Sequence, residues 1–300
     1  MFDNIKQFAE KLGCDVKENT PMSDYTSFKT GGNARLIISP NSVDNLCEII
    51  KYCKSLDVSP IVIGNGSNTI VSDAGLDNVV IHIDEGFKHI EYCGGGIIKC
   101  GAGVSLKQLC MFALEYELTG LEFAYGIPGS VGGAAFMNAG AYGGEMKDVV
   151  MLCNHVTTDG EKNSITIDSL DYGYRKSVYT KNNCIITSVV FKLEKGNPDA
   201  IKYKMDSLMD RRKTKQPLEY PSAGSVFKRP EGYFAGTLIQ ECGLKGKTIG
   251  GAQVSEKHAG FIINVGNATT KDITDLIEYV QSTVKEQKGV LLEKEVKVIG

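Results

Sequence analysis

Gly126-Ile-Pro-Gly-Ser-Val-Gly-Gly-Ala-Ala-Phe-Met-Asn-Ala-Gly-Ala-Tyr-Gly-Gly144 decides how the rest of the chain is read. Its 19 residues hold seven glycines, four alanines, one proline and no charged side chain. A surface linker this rich in small residues normally carries Ser, Lys or Glu. Bare, uncharged backbone implies burial against a broad partner, because glycine lets main chain approach a neighbour closely. Two accounts compete: tight packing against another strand or helix, or contact with a large planar cofactor bearing a diphosphate. A shorter segment, Gly64-Asn-Gly-Ser-Asn68, lies some sixty residues upstream. Successive N–H groups in such a turn form an anion nest. It is neither G-x-G-x-x-G nor a Walker loop, since Thr69 follows and no Gly-Lys-Ser/Thr does. Two anion-friendly segments, one short and one long, suit the two ends of a dinucleotide.

Outward from these segments the apolar periodicity sets the elements. Residues 3–12 read as an amphipathic helix stopped by Gly13, followed by an irregular stretch to Gly31-Gly32. Leu36-Ile37-Ile38 reads as a strand. Asn41 and Ser42 can cap a helix whose apolar positions are Val43, Leu46, Cys47, Ile50 and Cys53. Residues 60–63 and 79–83 are further strands, which gives a βαβ unit with Gly64–Asn68 at a carboxyl end, where ligands sit in open α/β units. A short strand at 97–98, a helix over 105–117 and strands at 149–158, 163–167 and 184–193 follow. The pattern breaks near Gly196-Asn197-Pro198. Beyond it lie a helix ending in Arg211, Arg212, Lys213 and Lys215, a strong helix on Ile273, Leu276, Ile277, Val280 and Val284, and a final strand over 290–299. The boundaries proposed are 1–85, 86–197 and 198–300.

Composition narrows the class. The 300 residues are 42% apolar and 23% charged, which is globular usage and excludes disorder, collagen and coiled coil as the whole answer. With 33 basic and 36 acidic side chains the net charge is −3, which argues against a nucleic-acid or anionic-membrane binder. Nine cysteines is an odd count with no C-x-x-C, and several lie in apolar runs such as Leu109-Cys110-Met111-Phe112. They read as small buried hydrophobes. Met1–Lys6 has no apolar signal-peptide region, and no apolar run approaches the length of a span, so the expectation is a soluble cytoplasmic protein. No paired His or Cys spacing suggests a metal. Ser225 lacks a nucleophile elbow, since positions 223 and 227 are Ala and Phe.

Tyr25–Ala34, Ile63–Thr69, Gly126–Gly133, Asn138–Tyr142, Tyr174–Ser177, Gly224–Lys228 and Glu295-Val296 together resemble the UDP-N-acetylenolpyruvoylglucosamine reductase family, in family order from about residue 20 to 300. The resemblance implies an α+β protein: a two-subdomain FAD-binding fold of the vanillyl-alcohol-oxidase (PCMH) type, then a C-terminal α+β substrate domain. It implies noncovalent FAD, NADPH as co-substrate, and UDP-N-acetylglucosamine-enolpyruvate as the molecule reduced, a step of peptidoglycan synthesis. No membrane, nucleic acid or obligate protein partner is implied.

Matched residue by residue, the resemblance assigns the cofactor to Gly64, Asn65, Gly66, Ser67, Asn68, Pro128, Gly129, Ser130, Gly132, Gly133, Asn138, Gly140 and Arg212. It assigns Lys215 and Lys228 to the substrate. Arg175 faces the enolpyruvyl carboxylate, which a planar guanidinium can hold by both oxygens. Ser225 donates the proton, a role open to so weak an acid only because the carbanionic acceptor is strongly basic and cations are near. Glu295 polarises a water or balances the arginine. By alternation it shares a strand face with Leu291 and Ile299. Two departures stand out. Tyr179 leads almost directly to Cys184, so the inserted tyrosine loop of some members is absent, as in a shorter subgroup. Arg229 stands where other members have asparagine. The alternatives are another noncovalent-FAD oxidoreductase of the same fold, or a non-catalytic flavin- or nucleotide-binding module. None of the four histidines (His82, His89, His155, His258) falls in either glycine segment, which disfavours a covalently tethered flavin.

Overall fold

Four helices start where the sequence supplies a hydroxyl. In the computed structural model, which describes residues 1–300, Ser42 accepts the Asn45 N–H at the start of α2 (Val43–Ser55), after α1 (Phe2–Lys11). Ser105 and Gln108 form a reciprocal capping box on α3 (Leu106–Glu115). Inside the long glycine segment, Ser130 caps α4 (Val131–Met137), which Asn138 ends in the left-handed conformation at φ 44°. Next come a single turn, α5 (Tyr179–Asn182), then α6 (Pro198–Lys215) and α7 (Ala235–Glu241). Thr269 and Asp272 box the start of α8 (Thr270–Lys288), and Gly289 ends it at φ 71°.

The chain divides into two units, crossing between them at 18/19, 35/36, 65/66, 77/78 and 211/212. The first contains Met1–Glu18, Leu36–Asn65 and Asn78–Arg211. Strand Ile61–Ile63 runs parallel to Leu76–His82, within a four-stranded sheet in the order 15–21, 33–39, 76–82, 61–63. A five-stranded antiparallel sheet follows, in the order 162–166, 150–156, 185–192, 97–101, 90–94. Helix α4 packs on strand 185–192. Leu46, Ile50, Ile98, Leu109, Val131, Val189 and Phe191 share one buried apolar cluster.

The second unit contains Asn19–Arg35, Gly66–Asp77 and Arg212–Gly300. Helices α7 and α8 meet a three-stranded antiparallel sheet of 248–249, 252–254 and 262–264. Lys297–Ile299 pairs in parallel with Thr69–Val71. Phe28 and Ile70, far upstream in sequence, sit in the same core as Leu276, Ile277 and Val280.

The element reading survives with four differences. The second compact unit draws in 19–35 and 66–77, whose apolar residues lie too far from 198–300 to be grouped with them by sequence. The expected irregular stretch contains a strand, Asp15–Pro21, almost wholly polar and exposed and so without an apolar period. The glycine segment contains a helix. The final strand shrinks to Lys297–Ile299, and Leu291 is 67% exposed, so Glu295 and Leu291 do not share a buried face.

Candidate active site

In the first unit the two glycine segments meet. A Cβ on Gly64 would lie 2.6 Å from the Ser130 Oγ, so this neighbour excludes any side chain at 64. At the start of α4 the main-chain donors are already spent. Val131 N–H bonds the Val104 carbonyl, Gly132 N–H the Ala102 carbonyl, and Gly133 N–H the Ser130 Oγ. A Cβ on Gly132 would sit 2.8 Å from the Ala102 Cβ. At Gly132 the packing account of the glycine segment is therefore the correct one. Gly140 is similar: a Cβ there would meet the Gly144 carbonyl at 2.7 Å, and its own carbonyl accepts from Arg175 Nη2 at 3.3 Å. Asn138 is fully buried and its side chain is committed within the protein, to Glu145, Gly173 and the Lys147 N–H. These three residues, expected on the cofactor, are packed against or bonded to other parts of the first unit. Gly129, with φ 148°, and exposed Pro128 and Gly133 remain on the outer side of the α4 start.

Arg175 rides at the tip of a two-residue turn closed from both sides, Gly173 N–H to the Lys176 carbonyl at 3.0 Å and Lys176 N–H to the Gly173 carbonyl at 3.2 Å. Its φ is +55°, a conformation few non-glycine residues adopt. The guanidinium lies 5.0 Å from the centre of the Tyr174 ring and is half-buried. Tyr179, where a substrate-covering loop would begin, is fully buried, with its hydroxyl 3.0 Å from His155 Nδ1. It covers nothing.

In the second unit Ser225 and Glu295 occupy neighbouring extended segments. Glu295 N–H donates to the Val226 carbonyl at 2.7 Å, Lys228 N–H to the Glu293 carbonyl at 2.8 Å, and Phe227 bridges Lys294. Ser225 also bridges Phe261, and its Oγ, half-buried, reaches the Phe227 carbonyl at 3.3 Å. Asn68 Nδ2 donates to the Glu295 carbonyl at 3.2 Å, and the Asn68 carbonyl accepts from Lys297 N–H at 3.0 Å. The upstream glycine loop and the last ten residues are thereby stitched together. Lys228 pairs with Glu293. A Cβ on Gly66 would fall 1.9 Å from the Tyr25 carbonyl, which with φ 57° makes glycine obligatory there. Arg212 is 8% exposed and bonds Gln216, whereas Lys215 is exposed.

Sequence reading passed over Gly260 and His258. A Cβ at Gly260 would meet the His258 ring at 3.1 Å and Ser225 Oγ at 3.4 Å, so Gly260 lies between the histidine and the serine hydroxyl. His258 Nδ1 accepts the Gly260 N–H at 3.1 Å, and burial pushes its pKa below the ordinary histidine value. No motif marked them, since a lone histidine carries no spacing signal.

A flavin dinucleotide needs uncommitted main-chain donors for its pyrophosphate and surfaces bare of side chains for its rings. The peptide N–H groups from Gly64 to Asn68 have no acceptor in the protein. The residues present fit the group there and at Pro128–Ser130 and Gly133. This defines the class: a flavin-binding oxidoreductase of mixed helix and sheet. Comparisons agree. The FAD binding domain family matches residues 34–165, and the family of the UDP-N-acetylenolpyruvoylglucosamine reductase C-terminal domain matches 216–299.

Relatives named UDP-N-acetylenolpyruvoylglucosamine reductase include one from Clostridium novyi (strain NT), 48% identical over 95% of this chain and 92% of that protein. Another, from Clostridium botulinum (strain Alaska E43 / Type E3), is 50% identical over 95% and 93%. The crystal structure of the Thermus caldophilus reductase aligns at a TM-score of 0.83 with 34% identity, covering 96% of this chain and 100% of that one. A Physcomitrella patens BBE-like 1 structure has a similar fold over 64% of this chain and 44% of that one, at 18% identity and a TM-score of 0.50. The chain belongs to the UDP-N-acetylenolpyruvoylglucosamine reductase family, FAD-dependent oxidoreductases of peptidoglycan synthesis. No helix is long and apolar enough to cross a membrane.

Proposed function

We propose that this chain reduces the enolpyruvyl ether of UDP-N-acetylglucosamine-enolpyruvate to the lactyl ether of UDP-N-acetylmuramate, with Arg175, Ser225 and Glu295 as its chemical groups. The observation that carries the reading is the Asn68–Glu295 stitch: the loop fit for the cofactor is bonded to the carbonyl of one chemical residue, whose N–H in turn bonds the residue after Ser225.

FAD, bound noncovalently, would supply the hydride, with NADPH as the reductant. The chain supplies the rest. Peptide N–H groups of Gly64, Asn65, Gly66, Ser67 and Asn68 bind the diphosphate, and Arg212 adds positive charge. Pro128, Gly129, Ser130 and Gly133 border the flavin. Hydride arriving at the terminal vinyl carbon drives negative charge onto the substrate carboxylate. Arg175 holds that carboxylate and stabilises the charge as it develops, the kind of preorganised donor whose removal costs about 2.7–4 kcal/mol of barrier. The Ser225 hydroxyl delivers a proton to the adjacent carbon. That hydroxyl donates to the Phe227 carbonyl at 3.3 Å, a bond it gives up as it delivers the proton. Glu295 balances the guanidinium or orients a water. Lys215 and Lys228 meet the substrate diphosphate, Lys228 by exchanging Glu293 for it.

Anaerobic stopped-flow spectroscopy of Ser225→Ala tests this. We expect flavin reduction by NADPH within about twofold of wild type, while reoxidation by the enolpyruvyl nucleotide falls by roughly 10²–10⁴-fold, the range for a lost general acid. Equal rates in both half-reactions would remove Ser225 from the mechanism.

A further inference from the structure

The Arg175 turn is attached to the end of α4 by side chains. Ser177, fully buried, donates its hydroxyl to the Phe136 carbonyl at 2.6 Å, satisfying a last-turn carbonyl of the helix. Asn138 closes the helix in the left-handed conformation. Its Nδ2 then reaches 35 residues ahead to the Gly173 carbonyl at 3.0 Å, the same carbonyl that closes the Arg175 turn. The second Nδ2 hydrogen goes to Glu145 Oε2 at 2.6 Å, and Oδ1 accepts the Lys147 N–H at 2.9 Å. A main-chain N–H on one side and a main-chain carbonyl on the other fix which end of the amide is oxygen. Two donors and one acceptor are all in use, with no exposed surface.

Closing a helix requires only a residue that tolerates positive φ, which glycine does at least as well. The amide therefore does something beyond the cap. We propose that Asn138 is a positioning residue for Arg175. It holds the Gly173 carbonyl, and with it the base of a turn whose tip carries an arginine at φ +55°, so that the guanidinium is presented at one height beside the Gly140 carbonyl. Glu145 and the Lys147 N–H anchor the amide in turn, so the glycine segment and the arginine turn move as one piece. This rests on the reading of Arg175 as the carboxylate-holding group.

Asn138→Gly keeps the left-handed cap and removes only the ties. In the flavin-free chain, hydrogen exchange of the peptide covering 173–178 is expected to speed up about tenfold or more, with the remainder of the first unit unchanged, as for a local opening. In the loaded enzyme, reoxidation by the enolpyruvyl nucleotide is expected to fall by roughly tenfold to a hundredfold, the scale of a small misplacement, with NADPH reduction and flavin content unaltered. In an Arg175→Ala background the same change is expected to add less than about twofold, because two residues acting through one contact are not additive. A second variant, Asn138→Asp, keeps the cap and the Lys147 acceptor, loses both donors and sets a buried carboxylate against Glu145 and the Gly173 carbonyl, and is expected to speed exchange at 173–178 and slow reoxidation at least as much as Asn138→Gly. Unchanged exchange at 173–178, a full independent penalty in the Arg175→Ala background, or loss of the fold in both variants would overturn the proposal. Full activity of Arg175→Ala itself would instead sink the Arg175 reading and leave the exchange result standing.

Discussion

Arg175 and the Ser225–Glu295 pair are held in opposite ways. Arg175 stands on a two-residue turn in a strained conformation, tied down by the side chains of Asn138 and Ser177. Ser225 and Glu295 lie on extended segments laced together by main chain: Ser225 to Phe261, Phe227 to Lys294, Glu295 to Val226 and Lys228 to Glu293. Side-chain anchoring places a group where regular structure would not, but one substitution can undo it. Main-chain pairing is insensitive to the residues that carry it, and it fixes the backbone while leaving the side chains free to be chosen for chemistry. The first arrangement suits a long cation that must reach a charge. The second suits a short hydroxyl that must start from a fixed point.

The largest expected effect comes from removing the cation itself. Arg175→Ala should slow reoxidation by the enolpyruvyl nucleotide by about 10²–10³-fold, equivalent to roughly 2.7–4 kcal/mol. Arg175→Lys should recover only part of this, because a point charge cannot engage both carboxylate oxygens. Stopped-flow traces with NADPH reduction as the internal control measure both, and full recovery by lysine would mean that charge alone suffices. On the main-chain-held side, Asn68→Ala removes one side-chain tie to Glu295 and leaves the ladder. The expected cost is about 0.5–1.5 kcal/mol, a melting shift of a few degrees in the flavin-free protein. A catalytic loss in Asn68→Ala rivalling that of Arg175→Ala, with flavin content preserved, would show that the ladder does not hold Glu295 unaided.

This contrast also explains what could be read in advance. Helix α2 announced itself through Ser42 and its apolar positions, and α3 and α8 through a steady apolar period alone. The glycine segment announced close approach, but not to what. Gly132 turned out to approach Ala102, and Gly140 the Gly144 carbonyl, because glycine's signature is the same whatever lies opposite. Asn138 was assigned to the cofactor for being in the motif, whereas its bonds run to Gly173, 35 residues on. The grouping of 19–35 and 66–77 with the C-terminal portion was not legible, since long-range pairing such as Thr69–Val71 with Lys297–Ile299 leaves no local period. Six of the nine cysteines behaved as read: Cys14, Cys47, Cys53, Cys100, Cys110 and Cys153 are buried, with burial pushing the Cys53 thiol up to about 11, whereas Cys93 is exposed and Cys184 and Cys242 are half-buried.

The smallest expected effect concerns pH, and it touches both regions. His155 in the first unit and His258 in the second each have a pKa lowered from the ordinary 6.5, chiefly because burial penalises the charged ring. His258 Nδ1 accepts the Gly260 N–H, so protonation there breaks a bond as well as charging a buried ring. Since the folded pKa lies below the unfolded one, the unfolded chain binds the proton first. The stabilisation is complete above about 6.5 and is lost as pH falls from that value through the folded pKa. Melting temperature should therefore hold between pH 7 and 8 and decline below 6.5. His258→Gln, which cannot charge, should flatten part of that decline even if it lowers stability at pH 8. Reoxidation by the enolpyruvyl nucleotide should lose rate over the same acidic range more than NADPH reduction does, because Gly260 lies between the His258 ring and the serine hydroxyl. Parallel acid profiles for the two half-reactions would detach His258 from Ser225 and leave it a purely structural histidine.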